Sequence, residues 1–321
     1  MAHSRALAIL ALVALPGLAL GADGWRELRT DHFVLLTDAP AGEARETLDR
    51  LEVVHGAVEG ALFSGPRASA PLRVVAFSSR LDFAEHAGDA TSASVSVGGE
   101  PAILVPTGGD AAGLPALVAR QLLREAYPRA PIWLVDGLSA WVNTLNPTAA
   151  YPGAGPRASV DPGGRTMAVG GVPAYALDRV RPWFGGLARV LTRQEPFPRT
   201  YEERGPDLAW ALVHYLQQRH ASAFVDYRAR LAAGREPEAA WLEAFPAWDP
   251  KDRAAMKALD REVGTYVTRG EFAYRKVPLV TPSLEVRERP LSEHEVKALL
   301  RGLPLAWKPP RFGTPEPGEG C

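Results

Sequence analysis

The spacing of apolar residues changes period near residue 110, and that change limits the class of fold open to the chain. Before it, short apolar runs bounded by Gly, Pro and Ser read as strands at residues 32–37, 72–77, 94–97 and 102–105. Gly98 and Gly99 mark a turn between the last two. Helices are expected between strands at 43–62, where Leu48, Leu51, Val54, Val58 and Leu62 recur at helical spacing, and at 81–86. After residue 110 the pattern is helical. Segments 114–127 and 132–145 stop at Pro128 and Pro147, and further helices are expected at 176–193, 207–219, 221–233, 236–245, 250–268 and 292–301. Strands first and helices after imply an α+β fold with a small N-terminal sheet.

The two ends and one internal stretch stand apart from this pattern. Arg5 precedes an uncharged apolar run at residues 6–20, and Ala19 and Gly21 are small residues where a signal peptidase reads the chain. Residues 1–21 therefore have the layout of a secretory signal, with the mature chain starting at Ala22. The run is shorter than the roughly 20 residues that a membrane span needs. The expected location is exported, either periplasmic or extracellular, with no membrane contact after cleavage. Residues 146–174 are rich in Gly, Pro and Ala and read as a loop, either a lid or a disordered segment. Residues 271–303 read as an extension carrying one short helix, and 304–321 as a proline-rich disordered tail.

Charge excludes several classes of function. Lys and Arg number 36 against 37 Asp and Glu, a net charge of −1, and the two signs are interspersed. Nothing in that distribution favours nucleic acid or an anionic membrane as a partner. The single cysteine is Cys321, so no internal disulfide can form and the core must carry the fold.

The stretch with chemical content runs from Leu117 to Ala140. It holds an apolar lead-in at Leu117-Val118-Ala119, then Arg120, Gln121 and Arg124, then Pro128, then Trp133-Leu134-Val135-Asp136-Gly137-Leu138-Ser139. This stretch resembles the active-site segment of the peptidase MA-like gluzincins, including exported bacterial families of unknown function. There an H-E-x-x-H helix is followed by proline and then by W-L-x-E-G-L-A. The likeness extends over about residues 25–270 and implies a zincin-like domain at 22–270. It also implies a role for each position. The two zinc-binding histidines correspond to Arg120 and Arg124, the general base to Gln121, and the third ligand to Asp136.

Three of those four roles are chemically closed to the residues present. Zinc needs a donor with a lone pair. A guanidinium has none to give and stays protonated. Glutamine lacks the basic carboxylate that activates water. No shifted register restores the motif, because Pro128 falls where a second histidine would stand. His294-Glu295 also lacks a second histidine, and Ser292 with Glu295 reads better as a capping box. Trp133, Trp141, Trp183 and Trp210 read as core.

The expected protein is thus a metallopeptidase-like domain that holds no metal cofactor and does not catalyse. Two readings of the altered face stay open: Arg120 and Arg124 pair with Asp136, or they point at water. The expected partner is an extended peptide or a protein segment. Its binding strand is placed at Ile103-Leu104-Val105, read as a sheet edge because Pro101 and Pro106 flank it. The competing expectations are a hydrolase working through carboxylates or a displaced metal, and a purely structural component of the cell envelope.

Overall fold

The computed structural model describes residues 24–67, 69–108, 113–145, 166–170, 186–193, 205–270, 272–278 and 285–305. The expected signal segment, the tail beyond 305, Trp183 and most of the expected loop and helix between 146 and 185 lie outside them.

The fold is α+β, as the change of period implies. A hairpin of β1 (Arg26–Arg29) and β2 (Phe33–Thr37) leads into α1 (Ala41–Leu62), β3 (Leu72–Phe77) and α2 (Arg80–Ala87). A second hairpin follows, β4 (Ala93–Val97) and β5 (Glu100–Pro106). Its turn is Gly98-Gly99 with φ of +62° and +88°. A two-residue hairpin of this hand needs left-handed backbone at both central positions, which is why glycine stands at each. Then come α3 (Leu114–Ala126) and α4 (Ile132–Val142), a 3-10 turn to Leu145, and β6 (Thr166–Val169). The described C-terminal part holds α5 (Leu187–Thr192), α6 (Gly205–Arg219), α7 (Ala221–Ala232), α8 (Pro237–Ala244) and α9 (Arg253–Arg269). The chain closes with β7 (Arg275–Pro278), β8 (Arg287–Pro290) and α10 (Glu293–Gly302).

The main sheet has six strands in the order β4-β5-β3-β2-β1-β8. Strands β2, β3 and β5 run parallel, and the outer pairings are antiparallel. Alternation splits its side chains between two cores. Leu35, Val74, Ala76, Ile103 and Val105 face α1, α3 and α4. Leu36, Val75, Phe77, Ala102 and Leu104 face Phe83 of α2, Leu299 of α10 and Leu303 just after it. The second face would otherwise be open, so α10 supplies a layer that the sheet needs.

Three expectations change here. β5 is not an edge strand. Val74, Val75 and Ala76 of β3 pair with Ile103, Leu104 and Val105 on one side, and β4 pairs on the other. Pro101 stands opposite Ser96, near the β4–β5 turn, and Pro106 ends the strand, so both prolines sit at its ends rather than interrupting it. The segment 146–174 is not wholly loop, because Thr166–Val169 forms a strand with Arg275–Pro278. Residue 270 is not the limit of the domain either, since β8 extends the main sheet beside β1. Periodicity misses these strands because each is four residues long, with little apolar alternation to detect.

Helix ends are held by local chemistry. Ser292 and Glu295 form the expected capping box on α10. The last carbonyls of α1 are met by two side chains from far along the chain. Arg228 donates to Leu62 O, and Arg275 donates to Gly60 O and Ala61 O. These cations sit where the helix dipole favours positive charge.

Candidate functional site

Helices α3 and α4 pack against each other, and α4 packs most closely on α6. Gly137 permits that approach. A Cβ there would lie 2.5 Å from the carbonyl oxygen of Ala209 and 2.7 Å from a methyl of Val213. The glycine of the Trp133–Ser139 motif is therefore required by backbone contact between two helices. Trp133, Trp141 and Trp210 are buried, as expected of core residues.

The close packing places Asp136 beside α3. Arg120 Nη2 donates to Asp136 Oδ1 at 2.7 Å, with the two side chains 35% and 19% exposed. Burial pushes the Asp136 carboxyl above its usual range, against the opposing pull of Arg120 and, more weakly, Arg124. Desolvation thus outweighs attraction, as is common when a pair leaves water without full hydrogen bonding. The pair is incompletely satisfied in this sense, since Arg120 Nε is buried with no acceptor.

Arg124 goes the other way. It is exposed and makes no hydrogen bond or ion pair among the described residues, although its charge reaches the Asp136 carboxyl. The two expected readings therefore divide between the two arginines: Arg120 pairs with Asp136 and Arg124 meets solvent. Gln121 and Arg124 line a groove of about 640 Å³ beneath the start of β2, β3 and β5. Arg29, Arg73, Glu100 and Pro101 form its opposite wall. Arg73 is paired with Glu100 at 3.3 Å, whereas Arg29 has no ion pair among the described residues. Glu125 accepts from the backbone N–H of Ala70 and ties α3 to the entrance of β3.

Of the three expected binding residues, Ile103 touches this groove. Ile103, Leu104 and Val105 are each at most 1% exposed and lie between two paired strands. They cannot offer an extended ligand a free ladder of backbone groups. Among the described residues the edge on this side is β4, which carries neither charge nor proline.

The donor set at Arg120, Gln121, Arg124 and Asp136 does not fit zinc. Asp136 is the one carboxylate in the four positions and is engaged by Arg120. Among the described residues no three His, Cys, Asp or Glu side chains converge as a metal-binding group.

Two polar clusters escape a motif-based reading. Glu52, on α1, is buried and accepts from Thr30 and from His32 Nδ1 at 2.7 Å. His32 lies in the turn before β2 rather than in the strand, and its ring stacks on buried His55 with centroids 4.2 Å apart. Burial, with His32 nearby, lowers His55 to about 4 despite Glu52, so it is neutral at pH 7. The second cluster centres on His214 of α6, also fully buried. Its Nε2 lies 2.7 Å from the carbonyl oxygen of Gly170 and its Nδ1 2.6 Å from Tyr266 Oη. A carbonyl only accepts, so Nε2 carries the proton and Nδ1 accepts from the tyrosine. This histidine fastens the end of β6 to α6 and α9. Neither cluster has a sequence signature, because its members come from separate elements.

No protein-family model matches the chain, and no curated protein matches it significantly.

Proposed function

We propose that this chain is an exported, metallopeptidase-like protein of zincin-like fold that does no zinc chemistry and binds an extended polypeptide segment in the groove beside α3. One observation carries the reading. Gln121 and Arg124, at the positions of general base and second ligand in the resembled motif, both open onto a groove of about 640 Å³. The cleft is retained and its chemistry is altered. A groove of this size admits several residues of extended chain. Arg29 and Arg124, uncommitted to any described carboxylate, favour acidic side chains or backbone carbonyls within it.

Two measurements test this. The purified protein, prepared without chelator, should contain far less than one zinc per chain by elemental analysis. The fourfold variant Arg120→His, Gln121→Glu, Arg124→His, Asp136→Glu should take up zinc if the motif alignment is right. Tightly held zinc in the natural sequence refutes the absence of zinc chemistry, and none in a folded fourfold variant refutes the metallopeptidase likeness. For binding, hydrogen exchange is compared with and without a mixture of unfolded peptides. Protection at Arg73, Glu100 and residues 121–125 supports the groove. Protection confined to α7, α8 and α9 ends this reading.

A further inference from the structure

The two edges of the main sheet are finished differently. At one edge β8 reads Arg287-Glu288-Arg289-Pro290, with every residue exposed. Arg289 is tied to Glu27 and Glu295, and Pro290 has no N–H to offer. Charge and proline of this kind keep an edge from pairing with another chain. At the other edge β4 reads Ala93-Ser94-Val95-Ser96-Val97, with neither charge nor proline. It has the usual length of a strand, so shortness does not guard it either.

The register fixes which backbone groups of β4 are free. Val97 pairs with Glu100 across the Gly98-Gly99 turn, and in a two-residue hairpin that pair exchanges both of its hydrogen bonds. Pairs then alternate, so Val95 and Ala93 turn their N–H and C=O to β5, while Ser94 and Ser96 turn theirs outward. The far side of β5 agrees. Thr107 donates to Phe77 O of β3, which directs the odd-numbered residues of β5 to β3 and leaves the even-numbered ones for β4. Among the described residues no strand takes up the outward groups of Ser94 and Ser96, and both residues are exposed. Val95 points to the opposite face, where it is half-buried against the core under α10.

We propose that β4 pairs with β4 of a second copy of this chain, antiparallel about a two-fold axis at Val95, joining the two six-stranded sheets into one. The strand is its own complement in that register. Ser94 meets the partner's Ser96, and this pair exchanges both of its N–H···O bonds. Val95 meets the partner's Val95 at the close, non-bonded position, where side chains approach nearest. Ala93 meets the partner's Val97. No pair sets like charges opposite each other, which a two-fold contact otherwise risks at every charged residue on its axis. A strand from a different protein would also satisfy the outward groups, but the near-palindrome about Val95 matches a second copy. The helix layer adds apolar surface beside the same edge. A Cβ on Gly302, at the end of α10, would lie 3.5 Å from a methyl of Val97, and Leu300 and Leu305 on either side of it in the chain are 37% and 76% exposed. A two-fold contact closes on itself, and β8 guards the far edge, so the assembly stops at two chains.

Sedimentation equilibrium of the purified chain from about 1 to about 300 µM tests the pairing, with reductant present so that Cys321 contributes nothing. Micromolar, concentration-dependent dimerisation is expected of so small an interface. Ser94→Lys/Ser96→Lys sets lysine against lysine across the axis and should weaken the dimer at least about tenfold, as should Ser94→Glu/Ser96→Glu. Mixing the two variants should restore a mixed dimer, because each lysine then meets a glutamate. Ser96→Pro removes an outward N–H that the hairpin does not use, so it should keep the urea midpoint and lose the dimer. The proposal is overturned by a parent that stays monomeric at about 300 µM, by a Ser96→Pro or lysine variant of unchanged urea midpoint that dimerises as tightly as the parent, or by lysine and glutamate variants that form no mixed dimer.

Discussion

Replacing Asp136 separates the charge of the ion pair from its hydrogen bond. The structure places the pair between two regimes. Exposed pairs are worth about 0–1 kcal/mol, and breaking a buried pair costs about 3–5 kcal/mol. Here the carboxylate is 19% exposed and its arginine partner 35%. Asp136→Ala removes the acceptor for Arg120 Nη2, next to an Nε that already lacks one. A half-buried unpaired donor costs about 1–3 kcal/mol, and alanine recovers about 0.5 kcal/mol through its better helix propensity. The expected net loss is about 1–2 kcal/mol at pH 7. Asp136→Asn keeps an acceptor oxygen and removes the buried negative charge. Because burial raises the carboxyl, the folded state holds its proton to higher pH than the unfolded chain does. The ionised form is thus a net cost at neutral pH, relieved as pH falls toward the raised value. Asp136→Asn should therefore stay within about 0.5 kcal/mol of the parent at pH 7. Urea is the suitable denaturant, since an ionic one would screen the pair. The midpoint is read by tryptophan fluorescence with the slope unchanged. An alanine variant that loses less than about 0.5 kcal/mol would place Arg120 in free solvent. An asparagine variant as weak as the alanine one would show that the charge itself stabilises, and would refute the argument from desolvation.

Further outcomes follow from the packing. Gly137→Ala should destabilise by about 3 kcal/mol in urea, because its Cβ would meet the backbone oxygen of Ala209; a loss under about 1 kcal/mol would show that α4 and α6 can separate cheaply. His55 is lowered from 6.5 to about 4 in the folded state, so the unfolded chain binds more protons between those values. Stability should fall by up to about 3 kcal/mol as pH drops through that window, and His55→Phe should flatten that limb of the urea midpoint against pH; an unchanged slope would exclude His55 as its source. Expressed in a bacterium with its own N-terminus, the chain should be recovered from the periplasm or medium starting at Ala22, read by mass spectrometry of the intact protein. Recovery from the cytoplasm with residues 1–21 still attached would refute the secretory reading.

Much of the fold was legible because local patterns carry it. The Gly98-Gly99 turn, the helices ended by Pro128 and near Pro147, and the Ser292 capping box each depend on residues within a few positions of one another. The bar to zinc ligation and base catalysis at Arg120, Gln121 and Arg124 is equally local, because a guanidinium or an amide cannot act as ligand or base in any fold. Tertiary structure alone decided the rest. Whether β5 is an edge depends on β4 lying outside it, and nothing within Ile103–Val105 encodes that neighbour. Arg120 and Arg124 look alike on a helical wheel, yet α4 approaches one and leaves the other to water, because Gly137 fixes how α4 seats on α6. His32, Glu52 and His55 become a stacked, buried cluster only when the first turn docks on α1. Burial and partnership are properties of surfaces brought together from distant parts of the chain, and residue type constrains them without choosing among the possible neighbours.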